Sequence, residues 1–129
     1  MTASLYEATV LPSPEVPSID PKWYRQVLGQ YPTGVCVITA TGSDETPISM
    51  VVGSFTSVSL NPALVAFFPD KGSSSWAKLR DCQYFCVNIL SSDQESVCRQ
   101  LASKDPNKFS GVPHRISDRG CPILKNVVA

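Results

Sequence analysis

Three consecutive serines at positions 73–75 are the side chains in this sequence best suited to bind an anion. They follow Lys71 and Gly72 and begin a segment with the amino-acid pattern of a helix. Serine hydroxyls can bind phosphate oxygens, and the free N–H groups and dipole at the start of a helix favour an anion there. Serines in this position also cap helices. From the residues alone, capping is the better-supported interpretation.

The segment that precedes the serines predicts a flat wall beside them. Small and apolar residues from position 49 onward indicate a strand, an Asn61-Pro62 corner, and then a continuously apolar strand over 63–68. Such a short apolar run is typical of a strand buried on both faces. Together with the serines, this wall would suit a flat organic cofactor that carries a phosphate.

The cysteines and the single histidine offer little material for a metal site. None of the cysteines forms a C-x-x-C pair, and a Cys/His zinc site would need more than His114. We expect reduced, mostly buried thiols in a cytosolic protein, with a redox or metal role as the alternative. The cysteines are Cys36, Cys82, Cys86, Cys98 and Cys121.

Length, charge and hydropathy exclude several classes of protein. The 129 residues suffice for one domain, and an apolar fraction of 43% is ordinary for a globular protein. Eleven acidic residues balance eleven basic ones, so no net field favours nucleic acid or an anionic membrane. No window approaches the ~20 apolar residues of a membrane span, and the N-terminus lacks signal-peptide features. We therefore expect a cytoplasmic protein.

The elements that must position the serines can be read from turn and cap signals. Residues 1–19 carry three prolines and are expected to form a flexible arm, so that residues 20–129 form the domain. Helices are predicted from Asp20-Pro21, over 73–81, and from a Ser92…Glu95 capping box to about residue 103. Strands are predicted at 35–41, 47–52, 55–60, 63–68, 84–90 and 123–128, with loop signals over 104–122.

The order of these elements indicates the fold class. The strands come in hairpins and only two helices interrupt them, whereas a doubly wound parallel sheet needs a helix after nearly every strand. The pattern predicts a mainly β (α+β) protein, an antiparallel barrel of six strands or fewer with about three flanking helices.

Several sequence blocks, in one order along the chain, resemble a known family. They are YRQVLGQYPTGVCVITA (24–40), GSFTSVSLNPALVAFF (53–68), SSSWAKL (73–79), FCVNILSSDQESVCRQLASK (85–104), KFSGV (108–112) and GCPIL (120–124). Together they resemble the flavin reductase-like domain, whose fold is the FMN-binding split β-barrel. They are similar in particular to the reductase components of two-component flavin-dependent monooxygenases.

The resemblance implies a flavin reductase. Its members use NAD(P)H as co-substrate to reduce FMN or FAD, usually as homodimers, and the reduced flavin leaves for a separate monooxygenase. The flavin itself performs the hydride chemistry, so no catalytic side chain is expected. Relatives continue beyond the PIL block into a Gly-Asp-His type motif implicated in nicotinamide binding, so we expect this chain to be C-terminally truncated relative to the family. A flavin-binding module without efficient reduction and a degenerate interaction domain remain the alternatives.

The resemblance also implies which residues contact the cofactor. Ser74 and Ser75 map to the phosphate, the segment 47–54 to the ring and ribityl chain, and further positions lie beside the cofactor. The full set is Pro47, Ile48, Ser49, Met50, Val51, Gly53, Ser54, Phe68, Pro69, Asp70, Ser74, Ser75, Lys108 and Phe109.

Overall fold

The computed structural model describes residues 18–129, so nearly all of the arm expected over 1–19 lies outside the described residues. Contacts divide the chain into two units, 1–32 and 33–129. In the first unit, helix α1 (Pro21–Leu28) begins as predicted, with the Asp20 carboxylate accepting the Lys22 N–H at 2.9 Å. None of the helices in the described part is long and apolar enough to cross a membrane.

The second unit contains a three-stranded sheet, two two-stranded sheets and two helices. Its elements are β1 (Cys36–Thr41), β2 (Pro47–Val52), β3 (Thr56–Ser59), β4 (Leu64–Ala66), α2 (Ser74–Leu79), β5 (Cys86–Ile89), α3 (Glu95–Ala102), β6 (His114–Ile116) and β7 (Pro122–Leu124). All pairings are antiparallel, in the orders β2–β1–β5, β3–β4 and β6–β7. The antiparallel α+β class is confirmed. The described residues form seven short strands where six or fewer were expected, because β6 lies in the segment predicted as loop.

The hairpin of β1 and β2 forms the centre of this unit, and its strands match the predicted bounds to within one residue. Alternate residues of β1 serve two separate cores, as the two-residue period of a strand requires. Ile38 and Ala40 pack with Met50 of β2 and Leu79 of α2. On the opposite face, Val37 packs with Leu101 of α3, Val112 and Leu124. Helices α2 and α3 therefore cover opposite faces of the sheet, and both contact β2.

A buried polar network ties β7 to the sheet. The side-chain amide of Asn88 donates to the Val37 carbonyl at 3.1 Å and to the Thr39 hydroxyl at 3.0 Å. Its oxygen accepts the Leu124 N–H at 2.8 Å, and Thr39 donates to the Pro122 carbonyl at 2.5 Å. Every polar atom of the Asn88 side chain thus has a partner, as a buried amide requires.

Two local predictions are wrong. Strand β4 is not buried on both faces: 49% of Leu64 and 51% of Val65 are exposed, because neither side chain belongs to either of the cores described above. The Ser92…Glu95 capping box does not form, since α3 begins only at Glu95 with Gln94 as its N-cap. The Gln94 side chain instead accepts the Ser91 N–H at 3.2 Å and donates to the Lys125 carbonyl at 2.9 Å.

Candidate functional site

A groove of about 1160 Å³ lies alongside β2. Its walls come from the β1–β2 turn, the first three residues of β2, the serines and outer face of α2, and the segment 102–108 after α3. Strand β2 is an edge strand in the order β2–β1–β5, so alternate backbone groups face away from β1. The groove therefore combines an open strand edge with polar side chains from two helical regions.

Ser49 lies in the part of β2 that lines the groove, and both its hydroxyl and its carbonyl form hydrogen bonds within the protein. The buried hydroxyl donates to the Leu101 carbonyl at the end of α3, at 3.1 Å. The Ser49 carbonyl accepts the Lys108 ammonium at 2.9 Å. Ser49 thus joins β2 to α3 and to the segment that carries Lys108, and the predicted cofactor contact by its backbone would be made beside that lysine.

Lys108 brings a half-buried positive charge to the groove. Burial lowers the pKa of Lys108 below its ordinary value, and the nearby positive charge of Lys78 lowers it further. An ammonium group has three N–H donors, and within the described residues only the Ser49 carbonyl accepts one of them. The remaining donors are suited to an anionic or carbonyl-bearing ligand.

The three serines differ in their roles: one caps the helix, and the hydroxyls of the other two have no partner among the described residues. Ser73 is the N-cap of α2, with its hydroxyl accepting the Trp76 N–H at 3.2 Å. No hydrogen bond within residues 18–129 engages the hydroxyls of Ser74 and Ser75, and both residues line the groove. Because α2 has only six residues, we expect the hydroxyls rather than a helix dipole to supply most of the attraction for an anion.

The structure brings only part of the predicted site residues to the groove. Those that line it are Pro47, Ile48, Ser49, Ser74, Ser75 and Lys108. Those that do not line it are Met50, Val51, Gly53, Ser54, Phe68, Pro69, Asp70 and Phe109. A cofactor contact by this second set stays a prediction.

The predicted residues outside the groove have structural partners of their own. Met50 belongs to the core on the α2 face, and Val51 and Phe109 pack against the core on the α3 face. The Ser54 hydroxyl accepts the Phe68 N–H at 2.9 Å and donates to the Phe68 carbonyl at 3.3 Å. This pair joins the segment after β2 to the segment after β4.

The remaining predicted residues outside the groove are Gly53, Pro69 and Asp70. The Asp70 carboxylate accepts the Gly72 N–H at 2.7 Å, which closes the turn before the serines. At Gly53, an added Cβ would lie 2.8 Å from the Thr33 hydroxyl oxygen, so a larger residue would displace that side chain. Pro69 follows the exposed Phe68 and is itself half-buried.

The groove also contains charged residues that the sequence did not single out. Lys78 lies four residues after Ser74 on α2, a spacing that puts two side chains on one helix face and could have identified it. Lys104 lies in a loop, where no pattern marks it. The charged lining residues are Asp44, Lys78, Asp81, Lys104, Asp105 and Lys108, three of each sign.

The groove offers hydrogen-bond donors and acceptors to a ligand, but the buried thiols of the protein are poor nucleophiles. Burial raises the pKa of the Cys36, Cys82, Cys86 and Cys121 thiols, which keeps them protonated. Cys82 is the one of these that lines the groove. Within residues 18–129, no three His, Cys, Asp or Glu side chains converge to hold a metal ion.

Comparison with known proteins places the chain in one family. Residues 28–129 match the family model described as "Flavin reductase like domain". A flavin reductase from Pseudomonas putida is 59% identical over 112 residues, which are 87% of this chain and 66% of that protein. The reductase subunit HsaB of a flavin-dependent monooxygenase from Rhodococcus jostii is 45% identical over 112 residues, which are 87% of this chain and 57% of that protein.

A solved structure shares the fold over most of the chain. The NADH:FAD oxidoreductase SgcE6 from Streptomyces globisporus, in complex with NAD and FAD fragments, superposes with a TM-score of 0.77 at 34% identity. The match covers 88% of this chain and 70% of that one. Against the two curated relatives the chain spans only 66% and 57% of their length.

Proposed function

The chain belongs to the flavin reductase-like domain family, and from this we propose that it binds FMN or FAD in the groove along β2. The activity proposed for the whole protein is NAD(P)H-dependent reduction of that flavin, with the reduced flavin supplied to a separate monooxygenase. The relatives named above are a flavin reductase and a monooxygenase reductase subunit, and both align over 87% of this chain. Residues 20–129 are assigned to the domain and residues 1–19 to an N-terminal arm.

The donor set of the groove fits a flavin phosphate. The observation that carries the proposal is the pair of serine hydroxyls on Ser74 and Ser75, which face the groove without a protein partner among the described residues. Lys78 on the same helix and Lys108 opposite add positive charge. Hydrogen bonds from such groups to a charged phosphate are among the stronger ones in proteins.

The strand wall fits the flat part of a flavin. Pro47, Ile48 and Ser49 line the groove from the edge strand, whose backbone groups can meet the polar edge of the ring. A bound flavin supplies the hydride chemistry. The residues of this chain orient it, hold its phosphate and leave it exchangeable, because most groove side chains are exposed.

Two alternatives follow from the same groove. A protein that holds flavin but reduces it poorly needs the same donors, and a non-binding interaction domain needs none of them. Fluorescence quenching with FMN separates them, because the reductase and the binding module both require saturable binding at micromolar flavin. NADH oxidation with added flavin then distinguishes the first two. NADH consumption no faster than in a protein-free control would leave only the binding module for these residues.

The proposed assembly is a homodimer formed through the β3–β4 hairpin. The exposed fractions of Val58, Leu60 and Phe68, in the hairpin and just after it, are 60%, 93% and 72%, which is unusual for large apolar side chains so close together in the chain. A two-stranded sheet is marginal by itself, and packing against a second copy would stabilise it. A cytoplasmic location is proposed because the five cysteines are unpaired, as in a reducing compartment.

A further inference from the structure

We propose that Gln100 is a positioning residue for the flavin groove, whose side-chain amide holds the segment 105–110 so that the Lys108 ammonium faces the ligand. The inference rests on the proposed function, because the partner expected for Lys108 is the flavin. Gln100 does not line the groove itself. It would act through Lys108.

The side-chain amide of Gln100 donates hydrogen bonds to two backbone carbonyls of the segment 105–110. Its Nε2 atom donates to the Lys108 carbonyl at 3.0 Å and to the Ser110 carbonyl at 2.7 Å. A side-chain amide nitrogen has two N–H groups, so both of them bind this one segment. The exposed Gln100 side chain therefore fixes residues 108 and 110 relative to α3.

The same segment is fixed a second time from the opposite side. The Lys108 ammonium donates to the Ser49 carbonyl at 2.9 Å, and the Ser49 hydroxyl donates to the Leu101 carbonyl at 3.1 Å. Leu101 follows Gln100 in α3, so a closed ring of hydrogen bonds runs through α3, the segment 105–110 and β2. Within this ring, the Lys108 ammonium is the group with donors left for a ligand.

The segment also has its own internal turns, which do not need Gln100. The Asn107 N–H donates to the Asp105 carboxylate at 2.8 Å, and the Ser110 N–H donates to the Asn107 carbonyl at 2.8 Å. Loss of Gln100 should therefore let the segment shift as a folded unit and carry Lys108 out of position. A glutamate at position 100 should also release the segment, although its volume is nearly that of glutamine. Its carboxylate has no proton to donate to the two carbonyl oxygens.

A double-mutant cycle on FMN binding tests the coupling. Dissociation constants are measured by flavin fluorescence quenching for the wild type, Q100A, K108M and the double variant. We expect Q100A to weaken FMN binding about tenfold in the wild type and less than about twofold in the K108M background, since contacting residues in one network are not additive. An equal loss in both backgrounds would refute a role that operates through Lys108.

The matched control is Arg99→Ala. Arg99 is the preceding residue on α3, is exposed, and pairs only with Glu95, at 2.6 Å, within the described residues. R99A should leave FMN affinity and Lys108 unaffected. Q100E serves as the second test variant if Q100A fails to fold, and it should weaken FMN binding at least as much.

A second measurement decides the positioning role without any flavin. The ¹³Cε resonance of Lys108 is followed through a pH titration in the wild type, Q100A, Q100E and R99A. Because burial lowers the Lys108 pKa in the intact protein, release of the segment should raise that pKa toward the ordinary lysine value in Q100A and Q100E. An unchanged pKa would overturn the inference. Failure of the wild type to bind FMN would overturn the proposed function and leave this measurement to decide the role of Gln100.

Discussion

Replacing Ser74 and Ser75 together by alanine should remove much of the affinity for FMN and leave the fold intact. Neither hydroxyl has a hydrogen-bond partner among the described residues, so the free protein loses no internal bond. In the complex, each hydroxyl can donate one bond to the phosphate. A hydrogen bond to a charged group contributes about 1.5–3 kcal/mol, and exposure of Ser74 reduces that, so the pair should contribute about 1–3 kcal/mol.

That free energy corresponds to a dissociation constant raised between about fivefold and about 150-fold, since each 1.4 kcal/mol is about a factor of ten. The assay is quenching of flavin fluorescence, carried out in parallel with FMN and with riboflavin, which lacks the phosphate. Only FMN affinity should fall. An equal loss for both ligands would place the serines away from the phosphate, and unchanged FMN affinity with an unchanged fold would refute the assignment.

Ser73→Ala is the matched control within the same serine cluster. Ser73 is the helix cap, and its loss should lower the free energy of unfolding by about 1 kcal/mol with little effect on FMN affinity. Urea unfolding measures that change. The two variants should therefore separate the structural serine from the proposed binding serines, and the reverse pattern would show that the cap lies elsewhere.

Three further perturbations address the charge, the core and the assembly. Because the unfolded chain holds the Lys108 proton more tightly than the folded one, the free energy of unfolding should rise with pH between the lowered and the ordinary lysine pKa. Urea unfolding at a series of pH values should show this rise in the wild type and not in K108M. A rise that persists in K108M would show that another group causes it. Asn88→Ala should lower the free energy of unfolding by about 2–4 kcal/mol in urea unfolding, because it leaves buried polar groups unpaired. Replacement of the exposed Asn107 by alanine should change that free energy little, and equal losses in the two variants would refute the stabilising role of the Asn88 network. Leu60→Asp should convert a dimer to a monomer in sedimentation velocity, and an unchanged mass would exclude the β3–β4 interface.

Local chemistry made the central elements predictable from the sequence. The β1–β2 hairpin follows from a β-branched run, a polar turn and a second strand pattern, and its register pairs Cys36 with Val52 through Thr41 with Pro47. The start of α1 at Asp20-Pro21 and the cap at Ser73 depend on side chains within three residues of the atoms they bind. Such short-range interactions are contained in the sequence spacing itself.

The errors occur where a distant partner decides the outcome. The segment 114–116 has the composition of a loop, yet it forms β6 because β7 lies beside it. Strand β4 has the apolar composition of a buried strand, yet Leu64 and Val65 stay half exposed because neither of the two cores includes them. At α3, Gln94 takes the cap position, since its side chain bonds to Ser91 and to Lys125, which lies 31 residues away.

From the residues alone we could read the antiparallel α+β class, the family resemblance and a serine cap for the second helix. The resemblance added Ser74 and Ser75 as the candidate phosphate ligands. The fold was needed to show that Ser74 and Ser75 line the groove, and that Lys108 reaches Ser49 across 59 residues of chain. Propensity and capping act over a few residues, so the sequence spacing already contains them. A binding groove, in contrast, is formed by hydrogen bonds and burial between segments whose meeting depends on the whole fold.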